Sequence, residues 1–361
     1  MLSDRSAPPP EEPTELELAL AEQRAQGVDI ADLTEVDLRS GRDEAAVRTA
    51  LCAPPGDPHV AVARSLQPSG VPIDPAHVVL AAGVDDAYAR VFRLLCDPGD
   101  EILVPQPGDP RLEAIADDAD VALAPYPLAF DGRWEFDPAA IWEAVGERTR
   151  AIVLPSPHVP TGCALHADAL EALAAIELPL VIDETLARYP LESPLERPRS
   201  GDVPIFTIDG LRASPELHLA WIVASGPHEV VHEALHRLRR TPAPVASPMA
   251  GALARLLACE PADALASRAS AALSELRVRL SKTRITIPPV GGGWYAALRL
   301  PAGEEDERVA LRLVERGVLV APGSAYDMPD DRWLVISLLA PHDALARGAA
   351  VLAELFGPES P

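Results

Sequence analysis

From about residue 76 onward, short apolar runs rich in Val, Ile and Leu alternate with segments whose apolar positions recur every three to four residues. The runs fall at 78–80, 101–104, 121–125, 151–154, 180–182, 205–208 and 219–224; helical periodicity covers 85–95, 110–117, 138–145 and 166–175. Strands apolar at consecutive positions bury both faces, and helical crossovers make neighbours parallel. The pattern therefore predicts an α/β unit with a mostly parallel sheet covered on both sides.

The texture changes after helical stretches at 229–240 and 248–280. Strands at 285–287, 294–300 and 333–338, flanked by helices at 307–315 and 342–355, predict a smaller α+β unit. Upstream, a helix at 15–26 with Gly27 as its C-cap leads into an apolar stretch at 28–33. The expected division is a flexible tail at 1–14, a segment at 15–45 joining the small domain, a large domain at 46–250 and a small C-terminal domain at 251–361.

Composition narrows the class. With 48% hydrophobic and 24% charged residues the chain reads as soluble, and no apolar run approaches the roughly 18 residues of a membrane helix. The polar, Pro- and Glu-rich start has neither the basic end nor the apolar stretch of a signal peptide, so a cytoplasmic location is expected. A net charge of −24 argues against nucleic acid or an anionic membrane as partner, since either needs a basic surface. Cys52, Cys96, Cys163 and Cys259 lie far apart without CxxC spacing, which indicates neither disulfides nor a zinc knuckle. The basic side is almost all arginine, and the single lysine is Lys282.

Four segments then occur in a telling order: 94–105 (LLCDPGDEILVP), 156–162 (SPHVPTG), 181–184 (VIDE) and 219–227 (LAWIVASGP). Together with Gly292-Gly293-Trp294-Tyr295 they resemble class I/II aminotransferases of fold type I, which use pyridoxal phosphate (PLP). The resemblance spans nearly the whole chain. It implies a large, mostly parallel sheet domain, a smaller α+β domain, a homodimer, and ligands beyond the carboxyl ends of the strands. It also implies that the protein supplies an aldimine lysine, a carboxylate for the pyridine nitrogen and an anion cradle for the phosphate.

Checked position by position, the resemblance implies a degenerate site. Asp183 matches the pyridine carboxylate. The cradle corresponds to the turn at 82–86, which keeps Gly83 and Val84 but carries Asp85 and Asp86 in place of hydroxyls; acids there repel a phosphate. The stacking aromatic corresponds to Asp109, and the ring-facing asparagine to Val159, next to His158. The second basic residue aligns with His218. The lysine segment, 209–221, is about three residues short, so Arg212 or Ala213 takes the lysine's place or the position is deleted. A guanidinium cannot form a Schiff base. Strand 333–337 lacks the arginine that many relatives use for the substrate carboxylate.

One further motif competes. His228-Glu229-Val230-Val231-His232 is an H-E-x-x-H sequence, and His236 extends the i, i+4 spacing. That spacing suits a zinc ligand pair, but neither a third ligand nor a metzincin-type extension follows, so a polar helix face is expected.

Three readings follow. The first is a pseudoenzyme, a homologue unable to form the internal aldimine, which retains a small ligand or pairs as a heterodimer with a lysine-bearing homologue. The second is a PLP enzyme working without the lysine through His218 or His158. The third is a metal-binding protein built on the helix of His228, His232 and His236.

Overall fold

A computed structural model describes residues 13–40, 42–66, 72–192, 195, 202–241 and 245–357. Most of the expected tail, residues 1–12, lies outside the described residues.

Seven strands form the main sheet in the order β2-β10-β9-β8-β7-β3-β4. They are β2 (Val78–Ala81), β3 (Glu101–Gln106), β4 (Ala122–Pro127), β7 (Thr149–Pro155), β8 (Leu180–Asp183), β9 (Ile205–Gly210) and β10 (Ala220–Ser225). Only β10 runs antiparallel to its neighbours. Alternation along β7 shows why the sheet is buried twice. Val153 joins the core beneath α4 (Val84–Leu95), α5 (Arg111–Ala119) and α8 (His228–Arg240). Ile152 and Leu154 point the other way, towards α6 (Pro138–Ala144) and α7 (Ala167–Ala174). A short hairpin, β5 (Ala129–Phe130) with β6 (Trp134–Glu135), places Trp134 in that second layer.

Trp221 and Val223, on β10 one strand in from the edge, pack instead under α2 (Glu44–Cys52), α3 (Pro58–Ser65) and α9 (Ser247–Cys259). Neither α2 nor α3 stands out by periodicity. Both carry start signals: the Asp43 carboxylate accepts from the Ala45 and Ala46 amides, and Asp57 accepts from His59 and Val60 ahead of Pro58 at the first helical position. Some of the chain's acidity is thus spent on helix N-termini.

The remaining elements build the smaller layer. β11 (Tyr295–Arg299), β14 (Trp333–Ser337) and β13 (Ala321–Pro322) form an antiparallel sheet. It packs with α10 (Ala262–Leu280), α11 (Asp306–Val314) and α12 (His342–Phe356) around Leu273, Trp294, Leu334 and Leu352. The N-terminal segment enters this core. α1 (Glu15–Ala25) begins with a capping box of Thr14 and Glu17, β1 (Ala31–Asp32) pairs in parallel with β12 (Val318–Leu319), and Leu33 is fully buried.

Two sequence expectations change. The helical stretch 248–280 divides at Glu260–Pro261 into α9 and α10, because a proline disfavours helical geometry in the residue before it. Residues 285–287 form no strand; only an isolated bridge joins Thr286 to Arg299.

Candidate active site

The carboxyl ends of β2, β3, β7, β8 and β9 point the same way, since β10 is antiparallel to both β2 and β9. Ala81, Ala220 and Gly210 are aligned across the three strands, which brings the 82–86 turn beside the 210–220 connection. The sequence-selected residues therefore gather at one sheet end, where open α/β sheets place ligands.

Asp183 ends β8 and is nearly buried. Its Oδ2 accepts a hydrogen bond from the Tyr88 hydroxyl at 2.8 Å, and its Oδ1 accepts from the Thr185 amide at 2.8 Å. Tyr88 lies one turn into α4, on the apolar face with Ala87, Val91 and Phe92. Burial, with Asp183 beside it, holds the phenol well above its ordinary pKa, so it stays protonated and donates. Sequence reading passed over Tyr88, because a tyrosine in an amphipathic helix signals core packing.

Gly83 caps α4 at φ 113, and Val84 opens the helix. The Ala82 amide donates to Asp86 Oδ2 at 2.9 Å, so the turn meets one of its own donors with its own acid. Asp85 faces Arg111 at 3.5 Å. Asp109 receives both Nε and Nη2 of Arg111, at 3.0 and 2.5 Å. Burial opposes its ionisation, but the Arg111 guanidinium holds the carboxyl below the usual range, and Arg212 adds to the effect.

The loop after β7 contains cis bonds at Ser156–Pro157 and Val159–Pro160. His158 is 1% exposed, with Nδ1 2.9 Å from Thr161 Oγ1. Burial pushes its pKa down to about 3 against the Pro107 carbonyl and Asp109, leaving a neutral ring. Val159 turns to the small-domain core. Gly162, at φ 70, packs so closely that a Cβ would lie 2.4 Å from Val290 Cγ1.

The shortened lysine segment folds back tightly, with the Leu211 amide donating to Leu219 and the Ser214 amide to Leu211. Ala213 is fully buried. Arg212 is half-buried, its guanidinium carbon 5.9 Å from the centre of the Trp294 ring. His218 is exposed, in left-handed conformation at φ 46, and so stands away from the site. Lys282 is exposed in the turn after α10.

Behind this segment lies a second charged group that periodicity could not reveal. Arg188 reaches Asp209 at 2.9 Å and covers the Trp221 ring at 5.5 Å. Glu260, delivered inward by the break between α9 and α10, accepts from the Tyr189 hydroxyl at 3.4 Å. Burial raises Glu260 to about 7 despite Arg188.

The three helix histidines lie elsewhere. His228, His232 and His236 occupy the exposed face of α8, the first two stacked at 6.3 Å. Among the described residues no group of three or more metal-ligating side chains occurs, and no helix is long and apolar enough to cross a membrane.

Residues 59–351 match the aminotransferase class I and II family. The chain belongs to that family. It is 28% identical over 334 residues to the aspartate/prephenate aminotransferase of Thermus thermophilus, covering 84% of this chain and 86% of that protein. It is 28% identical over 299 residues to the capreomycidine synthase of Streptomyces vinaceus, with coverage of 78% and 75%. The alanine aminotransferase of Pyrococcus furiosus shares the fold with a TM-score of 0.82 at 22% identity, over 98% of this chain and 100% of that one. The architecture is fold type I, and the cofactor of the aminotransferase family is PLP.

Proposed function

We propose that this chain is an aminotransferase homologue that does not transaminate, a pseudoenzyme within its family. The observation that carries the reading is chemical: the segment between β9 and β10 contains no lysine, and the single lysine, Lys282, is exposed in a turn of the smaller layer.

The residues around the expected cofactor position do not fit PLP in the family's manner. Asp183, held by the Tyr88 hydroxyl and the Thr185 amide, keeps lone pairs for a pyridine nitrogen and is the residue that does fit. The turn at 82–86 offers two acids and no hydroxyl to a phosphate, and Asp86 takes one of the turn's amides. Asp109, at the stacking position, is clamped by Arg111. His218 is exposed, and the burial that pushes His158 down to about 3 makes its ring a weak base, so neither histidine supports a lysine-free PLP enzyme. The stacked, exposed histidines of α8 likewise do not favour metal chemistry.

The test is purification with PLP, an absorbance spectrum and borohydride reduction followed by intact mass. No stoichiometric reduced adduct is expected. A chromophore converted by borohydride into a one-to-one covalent adduct would overturn the reading. In the same proposal the chain is cytoplasmic and works as a homodimer or beside a lysine-bearing homologue, which sedimentation of the purified protein distinguishes from a monomer.

A further inference from the structure

Arg212 has no counterpart in the protein. Among the described residues it is the one half-buried arginine with neither a hydrogen bond nor an ion pair through its side chain. Its Nε is fully buried without an acceptor. The other half-buried arginines among the described residues have acceptors: for example, Arg42 meets Glu216, Arg188 meets Asp209, Arg268 meets Asp37, Arg277 meets Glu192 and Arg255 meets backbone carbonyls. In a chain with 55 acidic and 31 basic side chains, leaving a cation unpaired at this depth is the exception.

Position gives the exception a meaning. Arg212 follows the carboxyl end of β9, beside the ends of β2 and β8 that carry the 82–86 turn and Asp183. The guanidinium carbon lies 5.9 Å from the centre of the Trp294 ring, which is 1% exposed and itself packed on Tyr189 at 4.6 Å. A guanidinium that has lost part of its hydration, with no hydrogen-bonded acid from the protein and Asp109 acting on it only through space, is stabilised by an anion that bonds to its fork.

The surroundings select which anion. Asp85, Asp86, Asp109 and Asp183 lie on the neighbouring strand ends and helix turn. They repel any anion, and a dianion such as phosphate more than a single negative charge. The planar fork matches the two oxygens of a carboxylate.

We infer that Arg212 is the anchor of a binding site for a small monocarboxylate, held non-covalently beyond the carboxyl end of β9. The inference rests on the proposal that no covalent PLP adduct forms here.

Isothermal titration of the full chain with benzoate and, separately, with inorganic phosphate tests it, using wild type, Arg212→Gln and Arg212→Lys. Saturable one-to-one benzoate binding is expected, weakened at least tenfold in Arg212→Gln and less in Arg212→Lys, which keeps the charge. Unfolding midpoints of the unliganded variants establish that each is folded. Undiminished benzoate binding in folded Arg212→Gln, or no saturable binding in wild type, overturns the site. Tighter binding of phosphate than of benzoate overturns the carboxylate assignment. The borohydride experiment fails or succeeds independently: a covalent PLP adduct would remove the pseudoenzyme reading, whereas the titrations report on Arg212 alone.

Discussion

The Tyr88 hydroxyl donates to Asp183 Oδ2 at 2.8 Å across 95 residues of sequence, joining the first turns of α4 to the end of β8. A nearly buried strand-end carboxylate is thus met by a phenol of the same chain.

Tyr88→Phe removes that bond while keeping the ring that packs on Phe92. Losing a buried hydrogen bond to a carboxylate is expected to cost about 1.5–3 kcal/mol of unfolding free energy. Urea titration measures it; a variant as stable as wild type would show that the contact contributes nothing to folding.

Restoring a lysine is expected to be insufficient. Arg212→Lys leaves Asp85 and Asp86 in the 82–86 turn, where acids repel a phosphate. Incubated with PLP and reduced with borohydride, it should give no one-to-one adduct by intact mass. Stoichiometric labelling at residue 212 would mean that the missing amine is the only defect.

Two of the shifted groups, Glu260 and His158, give opposite pH dependences. Glu260 is raised from 4.5 to about 7, so between these values the folded chain keeps a proton that the unfolded chain releases. Its contribution is present below about pH 4.5 and is lost as pH rises towards 7, by up to about 3 kcal/mol. Glu260→Gln should flatten this part of the stability curve. His158, lowered from 6.5 to about 3, works the other way: the unfolded chain takes up the proton first, so stability falls as pH drops through that window. Denaturation midpoints from pH 3 to 8 for wild type, Glu260→Gln and His158→Asn separate the two; a Glu260→Gln profile parallel to wild type would refute the first.

Gly162→Ala combines a positive φ with a Cβ placed 2.4 Å from Val290 Cγ1, which belongs to a side chain 1% exposed. A loss of about 1–3 kcal/mol is expected, read from thermal or urea unfolding.

Much of the fold was legible because strands such as 151–154 and helices such as 85–95 carry strong periodicity and family motifs punctuate them in order. Asp183 was found through its strand-end motif. Tyr88 was not, since its partner is distant in sequence and its helix face is satisfied by packing alone. Glu260 was hidden inside an apparently continuous helical pattern; the Pro261 after it was the available signal. For α2 and α3 the signals were Asp43 and the Asp57-Pro58 pair, which mark helix starts more clearly than their short apolar stripes do. Arg212 was recognised only as a residue that cannot replace lysine, because freedom from partners is a property of three-dimensional surroundings.

The bond from α4 to β8 also bears on how this protein matures. A fold whose central helix is braced by a loaded cofactor is most vulnerable before loading, since a ligand that binds only the folded form lends it stability in proportion to its concentration. If no cofactor binds, as proposed, the brace is the Tyr88 side chain, present at unit stoichiometry as soon as the polypeptide is complete. Its unfolding midpoint should therefore be the same in cells starved of vitamin B6 as in cells supplied with it.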